Sequence, residues 1–158
     1  MKIAVISDIH GNMQALSAVL KNIKEENCDK IFCLGDLAMA GPEPARTIDK
    51  IQELIKTTDF TCIQGNTDEM IVNCDNQMIH MLEENNPVMA HALECDATVV
   101  SEEQKQFLKN LPPQKELEIE GVKILLVHGS PRKNNENIYC DLKIEEVEEM
   151  IKGTNANI

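Results

Sequence analysis

Residues 2–12 read KIAVISDIHGN, a short apolar run that stops at two polar side chains, Asp8 and His10. Four consecutive apolar residues at positions 3–6 are typical of a strand that is covered on both faces in a parallel sheet. We therefore predict a central β-strand here. Asn12 follows at a position where it can cap a helix, because apolar residues then recur at spacings of three and four.

The strand and helix unit then repeats along the chain. Apolar runs at residues 31–34 and 60–63 predict two further strands, and the apolar helical pattern between them predicts a helix entered through Pro42 and Pro44. The alternation of strands and helices predicts an α/β fold with a parallel sheet. In such a sheet the carboxyl ends of neighbouring strands meet at one edge, which is where these folds place their sites.

Polar side chains stand at the end of every apolar run. Asp8 and His10 follow the first, Asp36 the second, Asn66 the third, and His128 follows a fourth run at residues 122–127. We expect these five side chains to converge, and their oxygen and imidazole ligands predict a divalent metal centre. Asp8 and His10 lie two apart on a segment predicted to be extended, so both would face one ion. Asp36 can bridge two cations, and the glycine before it permits close backbone approach.

The rest of the chain predicts helices and one hairpin. Residues 69–96 favour two helices separated at Asn85-Asn86-Pro87, and residues 102–111 favour another. We expect this helical segment, about residues 69–111, to pack over the sheet edge within a single domain at residues 1–158. Residues 117–127 alternate and turn at Gly121, which predicts an antiparallel pair, and an amphipathic helix follows up to Gly153. The last two residues resemble the start of a strand.

Composition excludes several classes of function. The net charge of −12 argues against nonspecific binding to nucleic acid or to anionic membranes. Only 3% of residues are aromatic, so stacking platforms for single strands are missing. The six cysteines show no Cys-x-x-Cys spacing, and the first apolar run is too short for a signal peptide or a membrane span. We expect a cytoplasmic protein without a membrane anchor.

Four sequence blocks resemble those of the calcineurin-like metallophosphoesterases, and most closely the small bacterial and archaeal branch with the YfcE-type phosphodiesterases. The blocks are Asp8-Ile9-His10-Gly11-Asn12, Gly35-Asp36, Gly65-Asn66-Thr67-Asp68 and Val127-His128-Gly129-Ser130-Pro131. The resemblance implies a two-sheet β-sandwich flanked by helices and two divalent metal ions, with Mn, Fe, Zn and Ni all open. It also implies hydrolysis of a small phosphoester, with a diester favoured.

The resemblance also implies roles for individual residues. Asp8, His10 and Asp36 would hold one ion, and Asp36, Asn66 and His128 the other, with a metal-bridging hydroxide attacking phosphorus in line. Catalysis would then rest on Asp36, Asn66, His128 and Asp68. Asp68 either orients Asn66 or Thr67 or only caps a helix. Independently of the resemblance, the backbone amides of Gly11 and Asn12 at a helix start predict an anion contact through which Asn12 would bind substrate phosphate. Arg132 would also meet that phosphate, with an ordinary surface position as the alternative.

The sequence departs from the family pattern at two points that bear on metal binding and activity. Thr67 stands where many relatives have a histidine that serves as acid, and no Gly-His-x-His block follows His128. We therefore expect a chain whose final strands are missing and whose metal binding and activity are weakened. His80 and His91 are either ordinary histidines or replacement ligands. The competing function is a noncatalytic scaffold of the same fold, and an exposed strand edge leaves homo-oligomerisation open.

Overall fold

Two sheets and seven helices form the chain, which the computed structural model describes over residues 1–158. The first half contains β1 (Ile3–Ile6), α1 (Met13–Glu25), β2 (Lys30–Cys33), α2 (Pro44–Thr57) and β3 (Phe60–Cys62). The second half contains α3 (Asn66–Val72), α4 (Asn76–Asn85), α5 (Pro87–Val99), α6 (Glu102–Asn110), β4 (Gln114–Ile119), β5 (Val122–Val127) and α7 (Ile144–Met150). The predicted α/β class with two sheets and flanking helices is confirmed.

The parallel sheet has the order β1-β2-β3. Its two connecting helices begin where the sequence predicts: the side chain of Asn12 accepts a hydrogen bond from the N–H of Ala15 at 2.9 Å, and Pro44 is the first residue of α2. Leu16 from α1 and Ile48 from α2 are buried in the main core. The apolar faces read from the sequence therefore pack as expected.

The prediction that β1 is a central strand is wrong. β1 lies at the edge of the parallel sheet, and β2 is the middle strand. Val5 is 59% exposed because β1 borders an open apolar groove of about 340 Å³ between the two sheets. A continuous apolar run identifies a strand with two apolar faces, but it does not show that a neighbour covers both.

Residues 66–99 form three helices where the sequence predicts two within residues 69–96. The extra helix, α3, begins directly at Asn66, and Asp75 caps the start of α4 by accepting from the N–H of Met78. The break before Pro87 is found as predicted. Ile71, Leu93 and Leu108 from this region are almost fully buried in the same core as α1 and α2.

The hairpin of β4 and β5 forms the second sheet as predicted, with its turn at Gly121. Phe32, Ile63 and Leu126 make a small cluster between the two sheets. Beyond the hairpin, the N–H of Leu125 donates to the carbonyl oxygen of Ile158 at 2.9 Å, so the last residues lie alongside β5.

Helix α7 differs from the amphipathic helix that the sequence predicts. It ends at Met150, and none of its residues is buried. Ile144 is 74% exposed. Val147 and Met150 are half-buried, but they do not belong to either core cluster. No helix of the chain combines the length and the apolar character that a membrane crossing requires.

Candidate metal centre

The loops that follow β1 and β2 run side by side and carry the candidate ligands. The N–H of Asp8 donates to the carbonyl oxygen of Gly35 at 3.1 Å, and the N–H of His10 to that of Asp36 at 2.9 Å. Asp8, His10 and Asp36 all have positive φ angles, of 55°, 48° and 56°. The expectation that Asp8 and His10 lie on an extended segment is therefore wrong, and a left-handed backbone held by the second loop brings them together instead.

Asp8, His10 and Asp36 form one cluster of potential ligands. One side-chain atom from each lies within 4.8 Å of the other two. Nε2 of His10 is 3.7 Å from Oδ1 of Asp8 and 3.7 Å from Oδ2 of Asp36, too far for hydrogen bonds. Nδ1 of His10 faces the carbonyl oxygen of Met39 at 3.1 Å, an arrangement that leaves Nε2 free for a cation.

Asp36 also faces a second group of ligands. Its Oδ1 lies 3.5 Å from Nε2 of His128, and that nitrogen lies 2.8 Å from Oδ1 of Asn66. Nδ1 of His128 is held by the carbonyl oxygen of Leu34 at 2.7 Å. The structure thus brings all five predicted side chains together, with the carboxylate of Asp36 between the two groups.

The charge balance of this region fits divalent cations. Asp36 is 3% exposed and Asp68 is fully buried, yet neither forms an ion pair with lysine or arginine. Buried carboxylates are costly unless a positive charge compensates them. Carboxylate, amide and imidazole ligands directed at a common space supply the donor set that Mn, Fe, Zn or Ni would accept.

Asp68 joins the two loops that carry Asp36 and Asn66. Its carboxylate accepts hydrogen bonds from the N–H groups of Asp36 and Leu37, both at 2.9 Å, and of Gly65 at 3.0 Å. Burial raises the pKa of Asp68 to about 6; the N–H of Gly65 opposes the shift and the charge of Asp36 adds to it. Asp68 makes no hydrogen bond to Asn66 or Thr67, which the first predicted reading had it orient. It joins the loop of Asp36 to Gly65 and, as in the second reading, caps α3.

Thr67 makes two hydrogen bonds that hold the neighbouring loop. Its hydroxyl donates to the carbonyl oxygen of Ala38 at 3.1 Å, and its N–H donates to Oδ1 of Asp36 at 2.9 Å. The residue is 4% exposed. Thr67 therefore helps to hold Asp36 in place, and its hydroxyl proton is already engaged.

The backbone amides at the start of α1 are not free, contrary to the expectation that they stabilise an anion. The N–H of Gly11 donates to Leu37 at 2.9 Å, and that of Asn12 to Ile9 at 3.0 Å. The side-chain oxygen of Asn12 is occupied as the helix cap. The Nδ2 amide of this exposed residue has no partner in the chain, so the substrate contact predicted for Asn12 stays a prediction.

Arg132 lines a polar cavity of about 380 Å³ together with His128, Ser130 and Lys133. Its guanidinium donates to both carboxylate oxygens of Glu136, at 2.7 and 2.8 Å. Hydrogen bonds from Arg132 and Ser130 lower the pKa of Glu136 to about 2. Arg132 therefore lies beside the candidate centre, but it is held by an internal partner.

His80 and His91 lie on exposed faces of α4 and α5 and do not belong to the ligand clusters. The orienting partners of His10 and His128 are backbone carbonyls of Met39 and Leu34. No side-chain pattern could have identified them, because any residue type supplies a carbonyl oxygen.

Comparison with known proteins identifies relatives of this chain. The family model "Calcineurin-like phosphoesterase superfamily domain" matches residues 1–153. An uncharacterised protein of Methanocaldococcus jannaschii is 36% identical over 130 residues, which cover 82% of this chain and 50% of the relative. A hypothetical protein of Pyrococcus horikoshii has a similar structure, with a TM-score of 0.81 and 28% identity over 94% of this chain and 63% of its own.

A metallophosphoesterase of Sphaerobacter thermophilus is also similar, with a TM-score of 0.65 and 31% identity over 88% of this chain and 51% of its own. The YfcE phosphoesterase of E. coli, whose branch the sequence blocks resemble, shares the fold at a TM-score of 0.51 and 21% identity, over 88% of this chain and 63% of its own. The chain thus spans about half to two thirds of the length of these proteins.

Proposed function

This chain belongs to the calcineurin-like phosphoesterase superfamily, and we propose that it carries the metal-binding core of a phosphodiesterase. The observation that supports the proposal most directly is the position of Asp36 between two ligand groups. One group contains Asp8 and His10, and the other contains Asn66 and His128. We infer that each group holds one divalent cation and that Asp36 is shared.

The two cations, when bound, would supply a water of lowered pKa as nucleophile and positive charge for the phosphoryl oxygens. The chain's own residues supply the positioning. The carbonyl oxygens of Met39 and Leu34 fix the ring orientation of His10 and His128. Asp68 and Thr67 hold the loop of Asp36 through hydrogen bonds to backbone and side chain. This division of roles is typical of metal sites whose ligands are oriented by a second layer of hydrogen bonds.

The choice of a diester rests on Thr67. Its hydroxyl is directed to the carbonyl of Ala38, so this position offers no acid for a poor leaving group. A diester whose leaving group departs without strong protonation suits such a site better than an alkyl monoester. The cavity beside His128, with Arg132 and Lys133 on its wall, is the place we assign to the ester's anionic oxygens.

The absence of that acid also favours a second candidate function. A noncatalytic scaffold of the same fold would retain the ligands and bind metal without turnover. The two candidates differ in turnover alone, since both require metal binding at the five side chains. The six unpaired cysteines support a reducing, cytoplasmic compartment for either candidate.

The test is hydrolysis of bis-p-nitrophenyl phosphate and of an alkyl monoester, ethyl phosphate, by the 158-residue chain with added Mn²⁺. We expect Mn²⁺-dependent turnover that is faster for the diester and is lost in Asp36→Asn. Asp141→Asn is the matched control, because Asp141 is exposed and lies outside both ligand groups. A folded chain that binds Mn²⁺ and hydrolyses neither ester would contradict the hydrolase and support the scaffold.

A further inference from the structure

Glu136 is an acidic group beside the polar cavity that the proposed chemistry does not use. Its Oε2 accepts hydrogen bonds from the hydroxyl of Ser130 at 2.5 Å and from Nε of Arg132 at 2.7 Å, and its Oε1 accepts from Nη2 of Arg132 at 2.8 Å. The side chain of Glu136 is 18% exposed, against 45% for that of Arg132. A bidentate pair of this kind has a specific geometry, so Glu136 holds Arg132 in one orientation.

The loop that carries this pair is folded tightly against the end of β5. The N–H of Ser130 donates to the carbonyl oxygen of Lys133 at 2.9 Å, and the N–H of Lys133 donates to that of Ser130 at 3.3 Å. A Cβ on Gly129 would lie 2.7 Å from the carbonyl oxygen of Lys133, so the loop folds directly back over this glycine. The loop thereby keeps Arg132 and Lys133 on the wall of the cavity that His128 also lines.

The two cationic side chains of this cavity differ in their compensation. Arg132 and Lys133 are the lysine and arginine residues on its wall, and no aspartate or glutamate lines it. Arg132 is paired with Glu136, whereas Lys133 forms no ion pair. Hydrogen bonds from Arg132 and then from Ser130 lower the pKa of Glu136 to about 2, so its negative charge persists at neutral pH. The pair is therefore neutral overall, and Lys133 remains as the uncompensated cation of the wall.

We propose that Glu136 is a specificity-determining residue: by neutralising Arg132 it disfavours a doubly charged phosphomonoester relative to a singly charged phosphodiester. The inference rests on the proposed function, because it takes this cavity as the place of the ester's anionic oxygens. Arg132 still contacts the ester, since the pair uses its Nε and Nη2 and leaves Nη1 free. The repulsion between Glu136 and a bound ester grows with the charge of the ester, so the monoester loses more affinity than the diester.

The test uses two inert anions that differ in charge. Sulfate is doubly charged and methanesulfonate is singly charged at neutral pH, both are tetrahedral like a phosphate group, and neither contains a phosphoester. Isothermal titration calorimetry of the 158-residue chain with saturating Mn²⁺, at low ionic strength, measures both affinities. We expect Glu136→Gln to strengthen methanesulfonate binding about threefold and sulfate binding about tenfold, because the repulsion that is removed is proportional to the charge of the anion.

Two further variants separate the charge of Glu136 from its other effects. Glu136→Asp keeps the negative charge on a shorter side chain, so the ratio of the sulfate and methanesulfonate affinities should stay near that of the wild type. Glu53→Gln is the matched control, because Glu53 also pairs with a neighbouring cation, Lys50, but lies on α2 outside the cavity. Removal of a negative charge there should leave the ratio unchanged. Bound Mn²⁺ attracts both anions in every variant, so the comparison isolates Glu136.

Three outcomes would overturn the proposal. Glu136→Gln could strengthen both anions equally, or it could strengthen neither. Glu136→Asp could shift the ratio as far as Glu136→Gln does, in which case geometry and not charge sets the preference. If Glu136→Gln does not fold, Lys133→Gln decides: loss of the remaining cation should weaken sulfate about tenfold and methanesulfonate about threefold, and equal or absent weakening contradicts the account.

The measurement distinguishes failure of this inference from failure of the proposed function. Neither anion is turned over, so the affinities remain readable in a chain that hydrolyses no ester. Absent turnover with the expected change of ratio would count against the hydrolase alone. An unchanged ratio in a chain that does hydrolyse the diester would count against the role of Glu136 alone.

Discussion

The two loops around Asp36 pack so closely that neither Gly35 nor Gly65 has room for a side chain. A Cβ on Gly35 would lie 2.3 Å from the backbone nitrogen of Gly65, and a Cβ on Gly65 would lie 2.1 Å from Oδ1 of Asp36. The two ligand loops can therefore touch only because both positions are glycine. The position of the shared carboxylate depends on this contact.

Gly65→Ala should displace Asp36 without straining the backbone of residue 65, whose φ of −91° suits alanine. We expect a loss of about 1–3 kcal/mol in the free energy of unfolding, which is usual for overpacking, together with clearly weaker Mn²⁺ binding. Urea denaturation and Mn²⁺ titration measure the two effects.

Gly153→Ala is the matched control for this substitution. Nothing lies within 4 Å of its added Cβ, and its φ of +88° should cost only about 1 kcal/mol. Equal Mn²⁺ affinities in the Gly65→Ala and Gly153→Ala chains would show that the contact between the loops does not position Asp36.

Asp96 in helix α5 is 6% exposed, and Asp96→Asn should alter how stability depends on pH. Burial raises the pKa of Asp96 above its ordinary value of 3.8. The folded state then binds this proton more tightly than the unfolded state, so the wild type loses stability as pH rises from about 4 through the folded pKa. The variant lacks this loss. The free energy of unfolding of Asp96→Asn minus that of the wild type should rise across this window and then level off.

This pH prediction is checked by urea denaturation of both metal-free chains at several values between about pH 4 and pH 8. Other carboxyl groups titrate in the same way in both chains and cancel in the difference. A difference that stays constant over the whole range would mean that Asp96 has the same pKa in the folded and unfolded states.

The sequence predicts the residues of the candidate centre, but it does not predict the backbone groups that orient them. Asp8, His10, Asp36 and Asn66 have ligand chemistry and stand at the ends of the parallel strands, so sheet topology predicts their meeting. His128 follows β5 in the second sheet, and its place beside them depends on how the two sheets pack. The positions of the Met39 and Leu34 carbonyls depend on the path of the backbone in three dimensions. The extended geometry expected for Asp8 and His10 is wrong for the same reason, since contact with the second loop imposes their positive φ angles.

At the scale of elements, apolar periodicity predicts that a helix or strand forms better than it predicts what packs against that helix or strand. The three parallel strands, the helices α1, α2 and α6 and the hairpin follow the patterns of apolar residues. The edge position of β1 and the exposed face of α7 do not, because a pattern shows which face is apolar and not whether anything packs on it. The apolar pattern does not predict helix α3, because seven residues are too few for a periodic signal.

Helix α7 should contribute little to stability despite its apolar residues. Ile144 is 74% exposed, so Ile144→Ser should change the free energy of unfolding by less than about 0.5 kcal/mol. Leu93 in α5 is fully buried, and Leu93→Ala should cost about 3 kcal/mol because it leaves a cavity. Urea denaturation of both variants makes the comparison, and a large effect at Ile144 would mean that α7 packs against the rest of the chain.

At the scale of the whole molecule, the metal centre has to be understood together with the charge. The net charge is −12, and part of this excess is buried at the candidate centre, in the shared ligand Asp36 and in Asp68 beneath it. Divalent cations would reduce the local repulsion, so their binding should stabilise the fold as well as prepare the site. The chain spans about half the length of the curated relative that it matches, and the activity of the longer proteins is therefore a proposal for this chain.

The most direct test of the central claim is a Mn²⁺ titration of the 158-residue chain followed by electron paramagnetic resonance. The shared carboxylate of Asp36 predicts two bound ions per chain with a spin-coupled signal, which should disappear in Asp36→Asn and persist in Asp141→Asn. A chain that binds a single uncoupled ion, or a coupled pair that survives the loss of Asp36, would contradict the account.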